Sequence, residues 1–262
     1  MHPPNDQKIF GLLKPTDIVL DIGGWACPYN RANYVLDAEP YETRGYYKTV
    51  GLPGSQGGDR EHFTRDTWFR RDICEKQPFP FPDKMFDFVI CSHTLEDIRD
   101  LLWVCAEITR IGKRGYVEIP SRLAESSRGW ESARTAGLTH HRWLIDVDSA
   151  ASHIRFLHKH HMIHANRRFA FPQSFLRRLS DEQRVSWLFW EGTFTASETT
   201  LHGSDAIANE LEGYVRNSYR YPEWRLVADH AVAQVRAFAL RVSGRLTRGR
   251  AEDRTKKGSG IG

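Results

Sequence analysis

No run of apolar residues in this chain approaches the roughly 18 that a bilayer-spanning helix requires, so a membrane location is not expected. The opening MHPPNDQK has no basic stretch followed by an apolar one, so a secretory leader is not expected either. Cysteine is scarce and scattered. Cys27, Cys74, Cys91 and Cys105 form no C-x-x-C pair, which argues against a disulfide framework and against a zinc ribbon. They read as small apolar residues in a reducing cytoplasm. A charge excess of one sign is also missing from the body of the chain. The formal net charge is +4, but seven basic residues from Arg241 onward face only two acids, so the excess sits in the tail. A near-neutral body weakens any nucleic-acid reading.

What is present is globular: 262 residues, 40% apolar and 27% charged, enough for one domain with an appended subdomain. Asp17 to Ile22 (DIVLDI) is a short β-branched apolar run, the pattern of a strand buried on both faces of a parallel sheet. Tyr34 to Asp37, Trp68 to Ile73, Phe86 to Ser92 and Tyr116 to Ile119 repeat that pattern. Between the second and third lies Thr43 to Thr67, rich in glycine and polar residues, which reads as a long mobile surface loop of the kind that often serves as a lid. Asp97 to Ile111 has helical spacing, with Ile98, Leu101, Leu102, Val104, Cys105 and Ile108 on one face. Alternating strands and helices predict a doubly wound α/β sheet, whose ligands sit beyond the carboxyl ends of the strands.

Past Pro120 the pattern predicts a helix over 122–136, strands over 142–147 and 154–158, and helices over 173–189, 206–219 and 225–245. Ala251 to Gly262 reads as a disordered basic tail. The corresponding division is a core over 1–165, a mainly helical, aromatic extension over 166–250 that shapes an acceptor pocket or an interface, and the tail over 251–262.

Four segments in order carry a resemblance: VLDIGG ending at Gly24, YVLDAE ending at Glu39, RRDICEKQPFPFPDKMFDFVICSHTLEDI from Arg70, and RGYVEIPSR from Arg114. Together they resemble class I S-adenosylmethionine-dependent methyltransferases, with a Rossmann-like sheet, over roughly the first half of the chain. The resemblance implies S-adenosylmethionine as cofactor. Asp21, Gly23, Gly24 and Trp25 would form the turn at its methionine part, where a missing Cβ permits close backbone approach. Asp37 would accept hydrogen bonds from the ribose hydroxyls, with Glu39 as the substitute if the register slips, and Asp72 with the Ile73 amide would meet the adenine. Asp72 has a purely structural alternative, a salt bridge to Arg70 or Arg71. Ser92 and His93 would line the sulfonium.

Two features depart from the family. Trp25 and Cys27 stand where the second and third loop glycines are usual, with Pro28 next. Twelve residues separate Gly24 from Asp37, too few for a crossover helix of ordinary length plus its turns. The first helix is therefore expected to be very short or missing. The D-x-G-x-x-x-x-P-x-x-R-A arrangement from Asp21 to Ala32 is similar to segments of glycan methyltransferases.

Methyl transfer to an aliphatic hydroxyl calls for a base or a metal. Seven of the twelve histidines lie between His140 and His164. His140 and His141 precede a predicted strand; adjacent strand residues point opposite ways, which leaves one facing the site, and His141 is the expected base. Glu118 is the nearby acid that would orient the substrate or a histidine, or else pair with Arg122; Glu125 is the next closest. His158, His160, His161 and His164 lack the spacing of a recognised tetrahedral site, so no metal ligands are assigned. Magnesium beside a sugar diol is admitted without any spacing to fix it. Trp130, Trp143, Trp187, Trp190 and Trp224 are candidate sugar platforms or core residues. The expected partners are a small carbohydrate or oligosaccharide and a second copy of the chain, with no nucleic acid and no membrane.

Overall fold

Strand β1 (Val19–Ile22) is buried at all four positions and β4 (Phe88–Ser92) at its first four, as central parallel strands covered on both faces must be. In the computed structural model, residues 1–52 and 56–219 are described, together with helical positions 224, 228, 231, 232 and 235. The rest of the expected helix over 225–245 and the expected tail over 251–262 lie outside the described residues. The chain falls into two units, one of Met1–Glu125, His140–His160 and Leu179–Gly203, the other of Ser126–Thr139, His161–Arg178 and Ser204–Gly262.

The first unit is built on a six-stranded sheet, ordered β3 (Trp68–Arg70), β2 (Tyr34–Asp37), β1, β4, β5 (Arg114–Pro120), β8 (Val185–Glu191). Every pairing is parallel except β5 with β8, which places Glu118 opposite Trp187. The order reverses between β1 and β4, so their carboxyl ends open the crevice where such sheets bind ligands. A smaller sheet runs β6 (Trp143–Asp148), β7 (His153–His158), β9 (Thr195–Thr199). Its Ile145, Ile154 and Phe156 share one apolar cluster with the helix that follows β4.

That helix, Leu101–Ile111, buries Leu101, Val104, Cys105, Ile108 and Ile111, the spacing of a single helical face. It begins four residues later than expected, and Leu102 is exposed rather than on the buried face. Between β1 and β2 the expected absence of a helix holds. Cys27 bonds back to Gly24 at 2.9 Å and Ala32 to Tyr29 at 2.8 Å, so the crossover is a run of turns.

Three readings need correction. The segment 173–189 is not largely helical: single turns at Gln173–Leu176 and Asp181–Arg184 give way to β8. Its V-S-W-L-F-W run carries apolar side chains on both faces, Leu188 and Trp190 buried in one cluster and Trp187 and Phe189 partly buried against the other, which hides the apolar–polar alternation that marks a strand. Over 122–136 only Arg122–Glu125 is helical, and Gly129 at φ +106° is in a conformation that no helix contains. A helix at Pro3–Leu12 was not expected at all. Its signal is weak because few of its side chains are buried; Ile9 and Asn5 are, the latter bonded to the Tyr116 hydroxyl at 2.7 Å.

In the second unit, the helix Ser204–Ser218 buries Leu211 and Val215. Phe171 stacks on Phe175 at 4.2 Å and meets the rings of Tyr214 and Tyr219.

Candidate active site

A cavity of about 540 Å³ opens at the carboxyl ends of β1 and β4. Gly23 to Cys27 form one wall, Ser92 and His93 another, and Tyr47, Leu52 and Gln56 of the predicted lid loop a third, with Met1, Pro3 and Asp6. Gly23 is held at φ +74°, and a Cβ there would stand 2.1 Å from the Thr94 hydroxyl oxygen. A Cβ on Gly24 would meet Asp21 Oδ2 at 2.6 Å. Both glycines are thus required first by the packing of the turn onto its own floor. Trp25, at φ +34°, donates its amide to Asp37 Oδ2 at 2.9 Å and presents its indole, 40% exposed, beside Tyr46 and Tyr47.

Of the residues assigned from sequence to the cofactor, Gly23, Gly24, Trp25, Ser92 and His93 line this cavity. Asp21, Asp37, Asp72 and Ile73 stand outside its lining. Asp37 closes β2 as expected and is buried, with its oxygens accepting the Trp25 and Glu39 amides. Burial raises its pKa against those bonds. Asp72 accepts the Cys74 amide and an Arg99 guanidinium N–H at 2.8 and 2.9 Å. Its ion-pair partner is Arg99, not Arg70 or Arg71.

Asp21 lies under the turn, 4% exposed, and accepts the Tyr29 amide at 2.7 Å. Burial pushes its carboxyl from 3.8 to about 7, opposed by that amide and reinforced by the charge of Asp37. A raised folded pKa means the unfolded chain releases this proton first. The associated stability is complete below 3.8 and is lost as pH rises through about 7. Asp21→Asn keeps an acceptor for Tyr29 and removes the titration. Urea melts should therefore show the variant gaining about 3–4 kcal/mol on wild type between pH ~4 and ~8, at about 1.4 kcal/mol per pH unit. Parallel curves would place the proton elsewhere.

His93, in the left-handed region at φ +55°, hangs between two carboxylates: Nε2 lies 3.1 Å from Glu118 and Nδ1 3.4 Å from Glu96. Burial alone would lower its pKa, but the bonds to Glu118 and Glu96 outweigh it and raise it to about 9. His93 is therefore a cation at neutral pH and no base. Glu118 is fully buried and receives the His2 amide at 2.9 and 3.0 Å, the Tyr116 hydroxyl and His93. Burial would raise its pKa, yet the His93 bond and the Met1 ammonium hold it down at about 2. Glu118 thus orients His93, not His141, and Arg122 pairs with Asp146 at 2.8 Å instead.

His141 lies two residues before β6, anchored beside the turn after β4 because the Arg142 amide bonds the Glu96 carbonyl at 2.7 Å. Its Nδ1 is 2.9 Å from Glu125, and Glu125 is bonded to Lys159 at 2.7 Å; all three are buried. Burial, the largest single influence, lowers the His141 pKa, but the Glu125 bond together with the charges of Glu125, Glu96 and Asp97 raises it on balance. His140 is exposed, its ring edge-on to His141 at 4.5 Å. Neither histidine belongs to the cavity lining. Sequence reasoning missed Glu96 and Lys159; both sit in polar runs, L-E-D and H-K-H, with nothing to mark them as buried. Trp143 and Trp190 are core residues and offer no sugar platform.

Residues 43–117 match the methyltransferase domain family. Over that segment, 75 of its 262 residues, the chain is similar to methyltransferase domains. Its sheet is the Rossmann-like, parallel-rich sheet of class I methyltransferases, and S-adenosylmethionine is the cofactor this family implies. The match begins beyond Asp37, so the turn with Trp25 and Cys27, the part that departs from the family, falls outside it. Solved structures similar to the chain include an S-adenosylmethionine-dependent methyltransferase from Mesorhizobium loti, 16% identical over 48% of this chain and 58% of that one, with a TM-score of 0.32. The YcgJ protein from Bacillus subtilis is 18% identical over 46% and 52%, TM-score 0.30. An S-adenosylmethionine-dependent methyltransferase from Aquifex aeolicus is 21% identical over 46% and 64%, TM-score 0.27. The chain thus spans between half and two thirds of the length of these structures. No curated protein matches it. Among the described residues no helix is long and apolar enough to cross a membrane.

The cavity fits the cofactor. Its volume lies within the roughly 300–1,000 Å³ of small-molecule sites, and its wall combines backbone at Gly23 with aromatic faces at Trp25 and Tyr47.

Proposed function

We propose that this chain is an S-adenosylmethionine-dependent O-methyltransferase acting on a hydroxyl of a sugar or glycan precursor, with His141 as general base. The cofactor supplies an electrophilic methyl group. The chain's own residues do the rest. Gly23, Gly24, Trp25, Ser92 and His93 hold the amino-acid end, while Asp37, at the end of β2, and Asp72 with Ile73 are assigned to the nucleoside. The observation that carries the hydroxyl acceptor is the His141 imidazole, fixed through Nδ1 by a buried carboxylate that is itself held by Lys159. That leaves Nε2 to accept a proton, the arrangement a weakly acidic alcohol requires. Support for a sugar comes from the partly exposed Trp25 stacked with Tyr46 at 6.2 Å, a flat apolar surface beside the cavity. The reading keeps the reaction in the cytoplasm and the chain as a homodimer.

Calorimetry with S-adenosylhomocysteine and a labelled methyl-transfer assay over mono- and oligosaccharides test it together. Wild type is expected to bind the product nucleoside and methylate a sugar. Gly23→Ala, whose Cβ collides with Thr94, is expected to cost about 1–3 kcal/mol of folding stability and, by displacing the turn that lines the cavity, to weaken nucleoside binding. Methylation of amines or phenols with silence across the sugars would end the glycan reading; absent nucleoside binding would end the enzymatic one.

A further inference from the structure

The turn after β4 and the residues just before β6 bring three metal-ligating side chains together away from the cavity wall. One ligand atom each from Asp97, His140 and His141 lies within 4.8 Å of the others, and Asp97 Oδ1 is 3.9 Å from His141 Nε2. Asp97 and His140 are exposed, while His141 is buried. We propose that Asp97, His140 and His141 form a binding site for a divalent transition-metal ion of the zinc or cobalt type.

Three features favour that class. Two imidazoles and one carboxylate are the donor set of open zinc and related sites, which keep at least one position for water or another ligand. His141 offers Nε2 because Nδ1 is committed to Glu125, and a carboxylate on the far nitrogen is the usual support of a metal-bound histidine. Glu125 in turn is anchored by Lys159, so the imidazole plane is set before any ion arrives. Magnesium suits the site poorly, because it takes oxygen donors in a near-ideal octahedron and here two of three donors are nitrogen.

The inference rests on the proposed role of His141 and adds to it. Base and ligand use the same Nε2 lone pair, so an ion at this site withdraws the proton acceptor. Metal loading is expected to reduce methyl transfer at least tenfold, and a chelator to restore it.

The test reads binding first. The chain, stripped with chelator, is titrated with Co²⁺ followed by visible absorption and with Zn²⁺ followed by calorimetry. One ion per chain is expected, with Asp97→Ala and His140→Ala each weakening affinity at least tenfold. Both side chains are exposed, so these variants should fold, and near-ultraviolet circular dichroism checks that they do. Glu125→Gln, which leaves the three ligands in place, is expected to weaken it about tenfold through His141. No stoichiometric binding, or binding unchanged in both ligand variants, overturns the site. Failure of the methyltransferase reading shows separately, as absent S-adenosylhomocysteine binding. A rise in turnover on loading would retain the site and overturn the base role of His141.

Discussion

His141→Ala is expected to lower turnover on a hydroxyl acceptor by about 10²–10⁴-fold, the usual worth of a positioned general base, while S-adenosylhomocysteine binds as to wild type. The split follows from placement. His141 lies outside the lining of the cavity, so its removal spares the groups around the bound nucleoside. What disappears is the proton acceptor held by Glu125 at 2.9 Å. Deleting the ring also strands Glu125 beside Lys159, and Glu125→Gln serves as the milder partner: it keeps the imidazole but loses its anchor. Turnover there should fall less than in His141→Ala, with KM little changed, as for a positioning residue. Near-intact turnover in His141→Ala would mean an acceptor that needs no strong base, an amine or a phenol.

Glu118→Ala is expected to cost about 3–5 kcal/mol of folding stability, the penalty for removing one side of a buried charge pair, here with the Met1 ammonium 3.5 Å away. The carboxylate is the common acceptor for the His2 amide, the Tyr116 hydroxyl and His93, and each donor is left without it. Denaturant melts near neutral pH read the loss. Glu118→Gln keeps an acceptor oxygen and should lose less. A second measurement separates this from a simple cavity: the His93 titration, followed by NMR, should fall from about 9 toward its ordinary 6.5, held partly by Glu96. The pH dependence is signed by both partners. The His93 contribution is complete below 6.5 and lost as pH rises through about 9; that of Glu118 is complete above 4.5 and lost as pH falls through about 2. Wild type should thus hold this interaction fully between about pH 4.5 and 6.5, and the variant should lack the Glu118 limb and keep only the part of the His93 limb that Glu96 supports.

The parallel core was legible because its strands are short, apolar and closed by Gly, Pro or an acid, and because the gap between Gly24 and Asp37 is too short for a helix. β8 was not legible: V-S-W-L-F-W is apolar on both faces, and periodicity cannot tell such a run from a buried helix. The glycine turn, Ser92 and His93 were found as cavity residues through their position at strand ends. The carboxylate partners were harder. Glu118 meets His93 only after β4 and β5 pair, and Glu125 meets His141 and Lys159 across 16 and 34 residues. Separations of that kind leave no spacing in the chain to read.

The helix missing after β1 has an electrostatic consequence. In doubly wound folds the amino end of that helix offers an anion a fixed partial positive charge, and fixed dipoles do not titrate. Here the positive groups on the cavity wall are the Met1 ammonium and the His93 imidazolium, both already paired with Glu118. A ligand's carboxylate must therefore compete with Glu118 and Glu96 for His93, whose charge is held on the acid side of about 9 and fades above it.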